Sequence, residues 1–200
     1  ETYPNIKTIN LIWDLHTLWE KESDCDICLH GAPYELIKHP NTKPLEKNRT
    51  YLIPKQNSYT SIYRLDFEEW KKRPYDFVFN NPSIYKGSPL VINLALNLPD
   101  KRFLVKEGTW AIEGVYEWYE KWRDIMRDIP NIDIIDTVED MENGFFRQGR
   151  YLLYPSVSEG FGLMPLEAAM QGTIPICADT EILRFSSSPF SVFVYSDAYT

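Results

Sequence analysis

Cysteine is scarce in this chain: Cys25, Cys28 and Cys177 are the three among 200 residues. So small and odd a number builds no disulfide framework and points to a reducing compartment, the cytoplasm. Cys25 and Cys28 do form a C-x-x-C. The surrounding DCDICLHG reads as a strand rather than a helix N-terminus, and no second ligand pair follows, so a structural pair is expected rather than a redox or zinc site. Long apolar runs are missing too. No window approaches the roughly 18 apolar residues of a membrane span, and the polar start at Glu1 is not a signal peptide. Basic runs are missing as well. The formal charge is −8, which argues against nucleic acid, because a phosphate-backbone partner is held by clustered Lys and Arg. Repeats and low-complexity tracts are absent, and Asn48-Arg49-Thr50, a glycosylation sequon in form, is incidental without a secretory signal. The chain starts without Met and stops just after an apolar run, so a piece of a longer polypeptide is expected.

What is present is enough to fill a core: 44% of the residues are apolar. Residues 1–74 read as short β and α pieces. Ile6 to Asp14, CDICLHG and TYLIP are strand candidates, with short helices after the first two and a helical turn at LDFEEWKK in a connector. From Tyr75 the pattern tightens. YDFVF is a strand, followed by the loop NNPSIYKG and a helix with Ser88 as N-cap, Pro89 at its first position, and Leu90, Val91, Leu94, Ala95 and Leu98 at helical spacing. RFLVKEG is the next strand. Thr109 to Ile129 is the longest helix, with Val115, Trp118, Tyr119, Trp122, Ile125, Met126 and Ile129 forming a stripe for packing on a sheet rather than for stacking sugars. NIDIID, a short helix at VEDMENGFFRQG, the strand YLLYPS, the helix LMPLEAAMQ, TIPICA, TEILRF and FSVFVYS continue the alternation. Such regularity predicts an α/β fold: a doubly wound, mostly parallel Rossmann-like sheet over 75–200, preceded by a reduced or truncated α/β segment over 1–74.

Within that pattern the loop SEGFG lies at the carboxyl end of a strand and opens a helix, which is where open α/β sheets bind ligands. Gly160 and Gly162 let the backbone approach a ligand, and the helix presents unpaired N–H groups and a positive dipole end suited to phosphate. Pro165 fits the first turn, which puts Glu167 in that turn. Glu159 and Glu167, separated by seven residues, have no evident packing role. Two carboxylates facing an anion would repel it, so they more reasonably accept hydrogen bonds from hydroxyl groups such as those of a sugar ring and a ribose.

These residues resemble a known family. SEGFGLMPLEAAMQGTIPICAD is similar to the signature of GT-B glycosyltransferases of the retaining, metal-independent group: a Glu, seven residues and a Glu around a Phe-Gly, followed by a Gly-x-Pro strand. YDFVFNNPSIYKG resembles the first unit of the same family's nucleotide-sugar domain. The resemblance implies that Glu159 bonds hydroxyls of the transferred sugar, that amides of Gly160, Phe161, Gly162 and Leu163 lie against the sugar and diphosphate, and that Glu167 holds the ribose. It makes Lys86 the phosphate-binding lysine, offsetting charge that grows on the leaving diphosphate, and sets the base near Thr137 and Val138. The donor would be a UDP- or GDP-sugar and the acceptor a carbohydrate or glycoconjugate, with no metal and no further cofactor. One position departs from the pattern: six residues before Lys86, where the family usually has arginine, stands Asn80. It brings no charge, and Arg64, Arg73, Lys106 or a residue outside this chain would have to compensate. His16, His30 and His39 lie where the match is too poor to transfer a role. The short first half and Asn80 keep a second reading open, a non-catalytic nucleotide-sugar-binding module of a larger assembly. An isomerase on the same fold is disfavoured, since its extra acid and base groups are not found.

Overall fold

A computed structural model describes residues 9–12, 27–30, 50–52, 66–107, 116–135 and 144–195. The chain divides into two units, 1–58 and 59–200. In the first, β1 (Ile9–Ile12), β2 (Ile27–His30) and β3 (Thr50–Leu52) form a parallel sheet in that order, with Ile9 opposite Ile27 and Cys28 opposite Thr50. The short helices expected around Leu15 to Glu22 and at APYELIKH lie outside the described residues, as do Cys25, His16, His39 and Arg64.

Among the described residues of the second unit, α1 (Phe67–Lys71) comes first, the helical turn expected in the connector, capped by Asp66, whose carboxylate accepts from the amides of Glu68 and Glu69. Its Trp70 is buried edge-on against Tyr151 and donates its indole N–H to the Arg150 carbonyl. Six strands follow: β4 (Tyr75–Asn80), β5 (Phe103–Lys106), β6 (Ile132–Ile135), β7 (Gly149–Tyr154), β8 (Ile174–Ala178) and β9 (Val192–Val194). Every pairing among them is parallel, in the order β6-β5-β4-β7-β8-β9. This is the doubly wound Rossmann-like arrangement expected from the sequence. The chain steps outward from β4 to β6, then crosses back to β7 on the other side of β4. The carboxyl ends of β4 and β7 therefore flank the crevice where the winding reverses.

Both faces of the sheet are covered, as parallel strands require. On one face Phe79, Phe103, Val105 and Leu153 pack with Val91 and Ala95 of α2 (Ser88–Asn97) and with Met126 of α3 (Tyr116–Arg127) and the adjoining Ile129. On the other, Val78, Leu104 and Leu152 stand side by side in register, all fully buried. Phe146, in a 3₁₀ turn before β7, is buried as well. The helices α4 (Leu163–Met170) and α5 (Glu181–Ser187) complete the unit.

Three details differ from the sequence expectation. The N-cap of α2 is Gly87 in the left-handed region, not Ser88, which is the first helical residue; the residue before the helix must turn too sharply there for a side chain. Ile125 is 39% exposed, whereas its neighbour Met126 is buried, with Ile129 buried just beyond the helix. Glu167 lies just past the first turn of α4 rather than within it, the helix starting at Leu163 as LMPLEAAMQ implied. Val115 and the helix start expected at Thr109 lie outside the described residues.

Candidate functional site

Two loops meet at the reversal crevice. The first, Asn81 to Gly87, leaves β4 with Asn81 at a positive φ of 58°. It folds on itself through Ser83, whose hydroxyl accepts from the Lys86 amide (3.2 Å) and whose carbonyl accepts from the Ser88 amide (3.0 Å). The second runs from Pro155 to Gly162. The carbonyl of Tyr85 ties the two together, accepting from the Val157 amide (3.1 Å) and the Ser156 hydroxyl (3.3 Å). Gly87, at φ 82°, lies so close to Pro155 that an added Cβ would come within 2.7 Å of the Pro155 carbonyl oxygen. Backbone contacts, rather than long side chains, thus fix the spacing of the loops.

That spacing brings Lys86 and Glu159 together. The Lys86 ammonium makes a short ion pair with Glu159 Oε1, their side chains 20% and 10% exposed. A third group joins them: Tyr154, the last residue of β7, donates its hydroxyl to the same oxygen at 2.6 Å, and Lys86 Nζ is 3.5 Å from that hydroxyl. Burial first, and then the Glu159 carboxylate, push the Tyr154 phenol well above its ordinary range. It stays protonated and serves as a hydrogen-bond donor.

Gly162, at φ 75°, is the N-cap of α4, and no side chain caps that helix. There is no acidic residue in its first turn and Pro165 lacks an N–H, so the leading amides, such as those of Leu163 and Met164, have no partner within the helix and no capping side chain, the arrangement that suits an anion. The far end of α4 closes on Gly172 (φ 71°), with the Gly172 and Thr173 amides donating to Ala169 and Ala168. Gly160 and Phe161 lie in the loop between Glu159 and the cap, and Phe161 meets Phe185 of α5 edge-on, ring centroids 6.4 Å apart. Glu167 is half-buried, and burial raises its carboxyl above the ordinary value.

Asn80 ends β4, 8% exposed, and donates to the sulfur of Met164 (3.2 Å) in α4's first turn, while its Oδ1 is buried without a partner. Continuing the register places Lys106, Asn80, Tyr154 and Cys177 in one row on one sheet face at its carboxyl edge. Of the cations named as substitutes for the missing charge, Arg73 is spent elsewhere: its guanidinium donates to the carbonyls of Gly149 and Gln171 and to the Thr173 hydroxyl at the opposite end of β7. Lys106 stands beside Asn80, donates to the Glu107 carbonyl (3.0 Å), and has its ammonium pushed down by burial. Cys177 is buried, which pushes its thiol up to about 11, so it is an inert member of the row. Thr137 and Val138 lie outside the described residues. Sequence reasoning missed Tyr154. The signal was available: a phenol in the last position of an apolar strand, one step before the glycine loop.

No family model and no curated protein matches the sequence. Solved structures do resemble it in fold. HepE of Anabaena, in complex with UDP and glucose, superposes with a TM-score of 0.58 at 11% identity over 86% of this chain and 50% of that one. Sucrose-phosphate synthase from Thermosynechococcus elongatus gives 0.61 at 15% identity over 87% of this chain and 46% of that one. TarM gives 0.62 at 13% identity over 87% of this chain and 34% of that one. The chain spans about half the length of these proteins or less. At such identities the likeness establishes the fold, the α/β Rossmann-like architecture found in GT-B glycosyltransferases.

Proposed function

We propose that this chain is the nucleotide-sugar-binding part of a GT-B glycosyltransferase, which moves a sugar from a nucleoside diphosphate to a hydroxyl acceptor with retention and without a metal. The observation that carries this reading is the meeting of Lys86 and Glu159 at the reversal crevice, beside the uncapped start of α4. A diphosphate needs a cation and N–H donors, and a sugar ring needs a carboxylate acceptor next to them; the two loops supply these within one ion pair's reach.

In this reading the diphosphate lies over the amides of Gly162 and Leu163 and draws Lys86 away from Glu159. Lys86 then stabilises the charge that develops on the leaving group. Glu159, with the amides of Gly160 and Phe161, holds the sugar hydroxyls. Glu167 takes the ribose hydroxyls, which offer its half-buried carboxylate the donors it lacks among the described residues. Thr137 and Val138 border the base, UDP or GDP being the expected carriers. The leaving diphosphate takes the acceptor's proton on the same face, so no protein nucleophile is required. The acceptor would be a carbohydrate or glycoconjugate, and the compartment the cytoplasm.

The second reading, a non-catalytic module that binds nucleotide sugar, is favoured by one observation: Asn80 is neutral, buried and engaged with Met164, so the diphosphate has one fewer cation. Calorimetry with uridine, guanosine and adenosine diphosphates and their sugars tests both. At least one should bind the native chain and raise its melting temperature. Glu167→Ala should weaken diphosphate and nucleotide sugar alike, and Glu159→Ala the nucleotide sugar above all. If no nucleotide binds, or if both substitutions leave binding unchanged, the site is wrongly assigned. Binding without hydrolysis or transfer of a radiolabelled sugar selects the module.

A further inference from the structure

We propose that Tyr154 is the positioning residue for Glu159, holding its carboxylate in place once Lys86 has left it to grip a diphosphate. This rests on the nucleotide-sugar reading above and deepens it.

One carboxylate oxygen, Glu159 Oε1, receives both the Lys86 ammonium and the Tyr154 hydroxyl. The two donors differ in kind. Lys86 stands on a loop with a flexible four-carbon stem, and its charge will follow the stronger anion. Tyr154 is set in β7, 3% exposed, with two side-chain torsions and a neutral hydroxyl that a phosphate does not outbid for charge reasons. Lys86 Nζ, beyond the hydroxyl end of the ring, is 5.4 Å from its centroid, so the aromatic ring gives the lysine a second contact nearby.

Glu159 itself sits in a loop followed by glycine, with no helix or strand to hold its backbone. When a diphosphate takes Lys86, Glu159 loses its counter-ion and meets a new negative charge close by. Without another partner the carboxylate would swing toward water. The phenol prevents this: it keeps Oε1 occupied and leaves the other oxygen to accept from sugar hydroxyls. Holding a carboxylate in one rotamer before the sugar arrives is pre-organisation, and its effect falls on the sugar rather than on the diphosphate.

The test separates those two. Calorimetry on the wild type, Tyr154→Phe, Glu159→Gln, the double variant and Lys86→Met is run with UDP against UDP-glucose, GDP against GDP-mannose and ADP against ADP-glucose. In the wild type the sugar conjugate should bind tighter than its bare diphosphate, and that ratio is the readout. Tyr154→Phe should reduce the ratio by about tenfold or more, the scale of a hydrogen bond to a charged group, and leave the bare diphosphate unaffected. Glu159→Gln should reduce it similarly and the double variant no further, since Tyr154 acts through Glu159. Should Tyr154→Phe not fold, Lys86→Met decides: both ligands weaken there, yet the ratio must survive, because Tyr154 still holds the carboxylate. Equal weakening of both ligands in folded Tyr154→Phe, additive losses in the double variant, loss of the ratio in Lys86→Met, or a wild-type ratio of one would each overturn the proposal. Binding of no pair by the wild type would instead refute the nucleotide-sugar reading, and this inference with it.

Discussion

Gly87 offers a direct test of the claim that backbone contact, not side-chain chemistry, spaces the two loops. Its φ of 82° is a left-handed conformation, and an added Cβ would meet Pro155 Cγ at 2.6 Å and the Pro155 carbonyl oxygen at 2.7 Å. A β-carbon in that conformation costs roughly 1–2 kcal/mol. Forcing it into a rigid ring and a carbonyl adds about 1–3 kcal/mol of overpacking, so Gly87→Ala should cost about 2–5 kcal/mol in all. Gly162→Ala is the internal control. Its φ is also positive, 75°, but the nearest atom to its added Cβ is Leu183 Cδ2, the end of a side chain that can turn aside. It should lose roughly 1–2 kcal/mol, the conformational part alone. Urea unfolding measures both. With a slope of about 2 kcal/mol per molar urea, Gly87→Ala should lower the midpoint by ~1–2.5 M at unchanged slope. The reasoning fails if Gly87→Ala is within about 0.5 kcal/mol of wild type, the range of an indifferent surface substitution, or if Gly162→Ala proves the costlier.

The loops were the hardest part to foresee, and the strands the easiest. YDFVF, RFLVKEG, YLLYPS and TIPICA are short apolar-rich stretches bounded by turns, and a stretch of that kind has few places to go except the middle of a parallel sheet. Val78, Leu104 and Leu152 meet in one buried row for that reason. Once six such strands alternate with helices, the right-handed crossover rule leaves a short list of orders, and a glycine loop at a strand end marks the crevice. Glu159 stood out from its glycine loop and Lys86 from the resemblance, but their ion pair was not legible. It depends on β4 and β7 being neighbours, although 73 positions separate the two side chains, and on the Tyr85 carbonyl binding the Val157 amide. Arg73 shows the opposite failure. As a charge near the start of β4 it looked available for phosphate, but sequence spacing does not say which end of a strand a side chain serves. Its three partners lie at the amino end, roughly 17 Å along β7 from Tyr154 at about 3.3 Å per residue.

Two further perturbations separate stability from binding. Arg73→Ala removes donors from Gly149, Thr173 and Gln171, one of them at 2.7 Å to a buried threonine hydroxyl; it should cost about 2–4 kcal/mol, judged from charged hydrogen bonds of roughly 1.5–3 kcal/mol each that partly overlap, while nucleotide affinity measured by calorimetry stays as in wild type. A loss of affinity at full folding would return Arg73 to the site. Glu167→Gln should do the reverse, weakening nucleotide binding and raising stability. Burial holds the folded-state pKa of Glu167 above its ordinary value of 4.5, so the folded chain keeps this proton to higher pH than the unfolded chain does, and stability falls as pH rises from near 4.5 through the folded-state pKa. Below that window both states are protonated and the carboxyl has no penalty. Above it the folded state carries the full cost of a half-buried carboxylate, a cost the ribose hydroxyls would offset on binding. The stability gained by Glu167→Gln should therefore grow across the window and level off toward neutral pH in urea midpoints taken at several pH values. A gain independent of pH, or one largest in acid, would show that the carboxylate is not strained by burial and that the crevice already satisfies it.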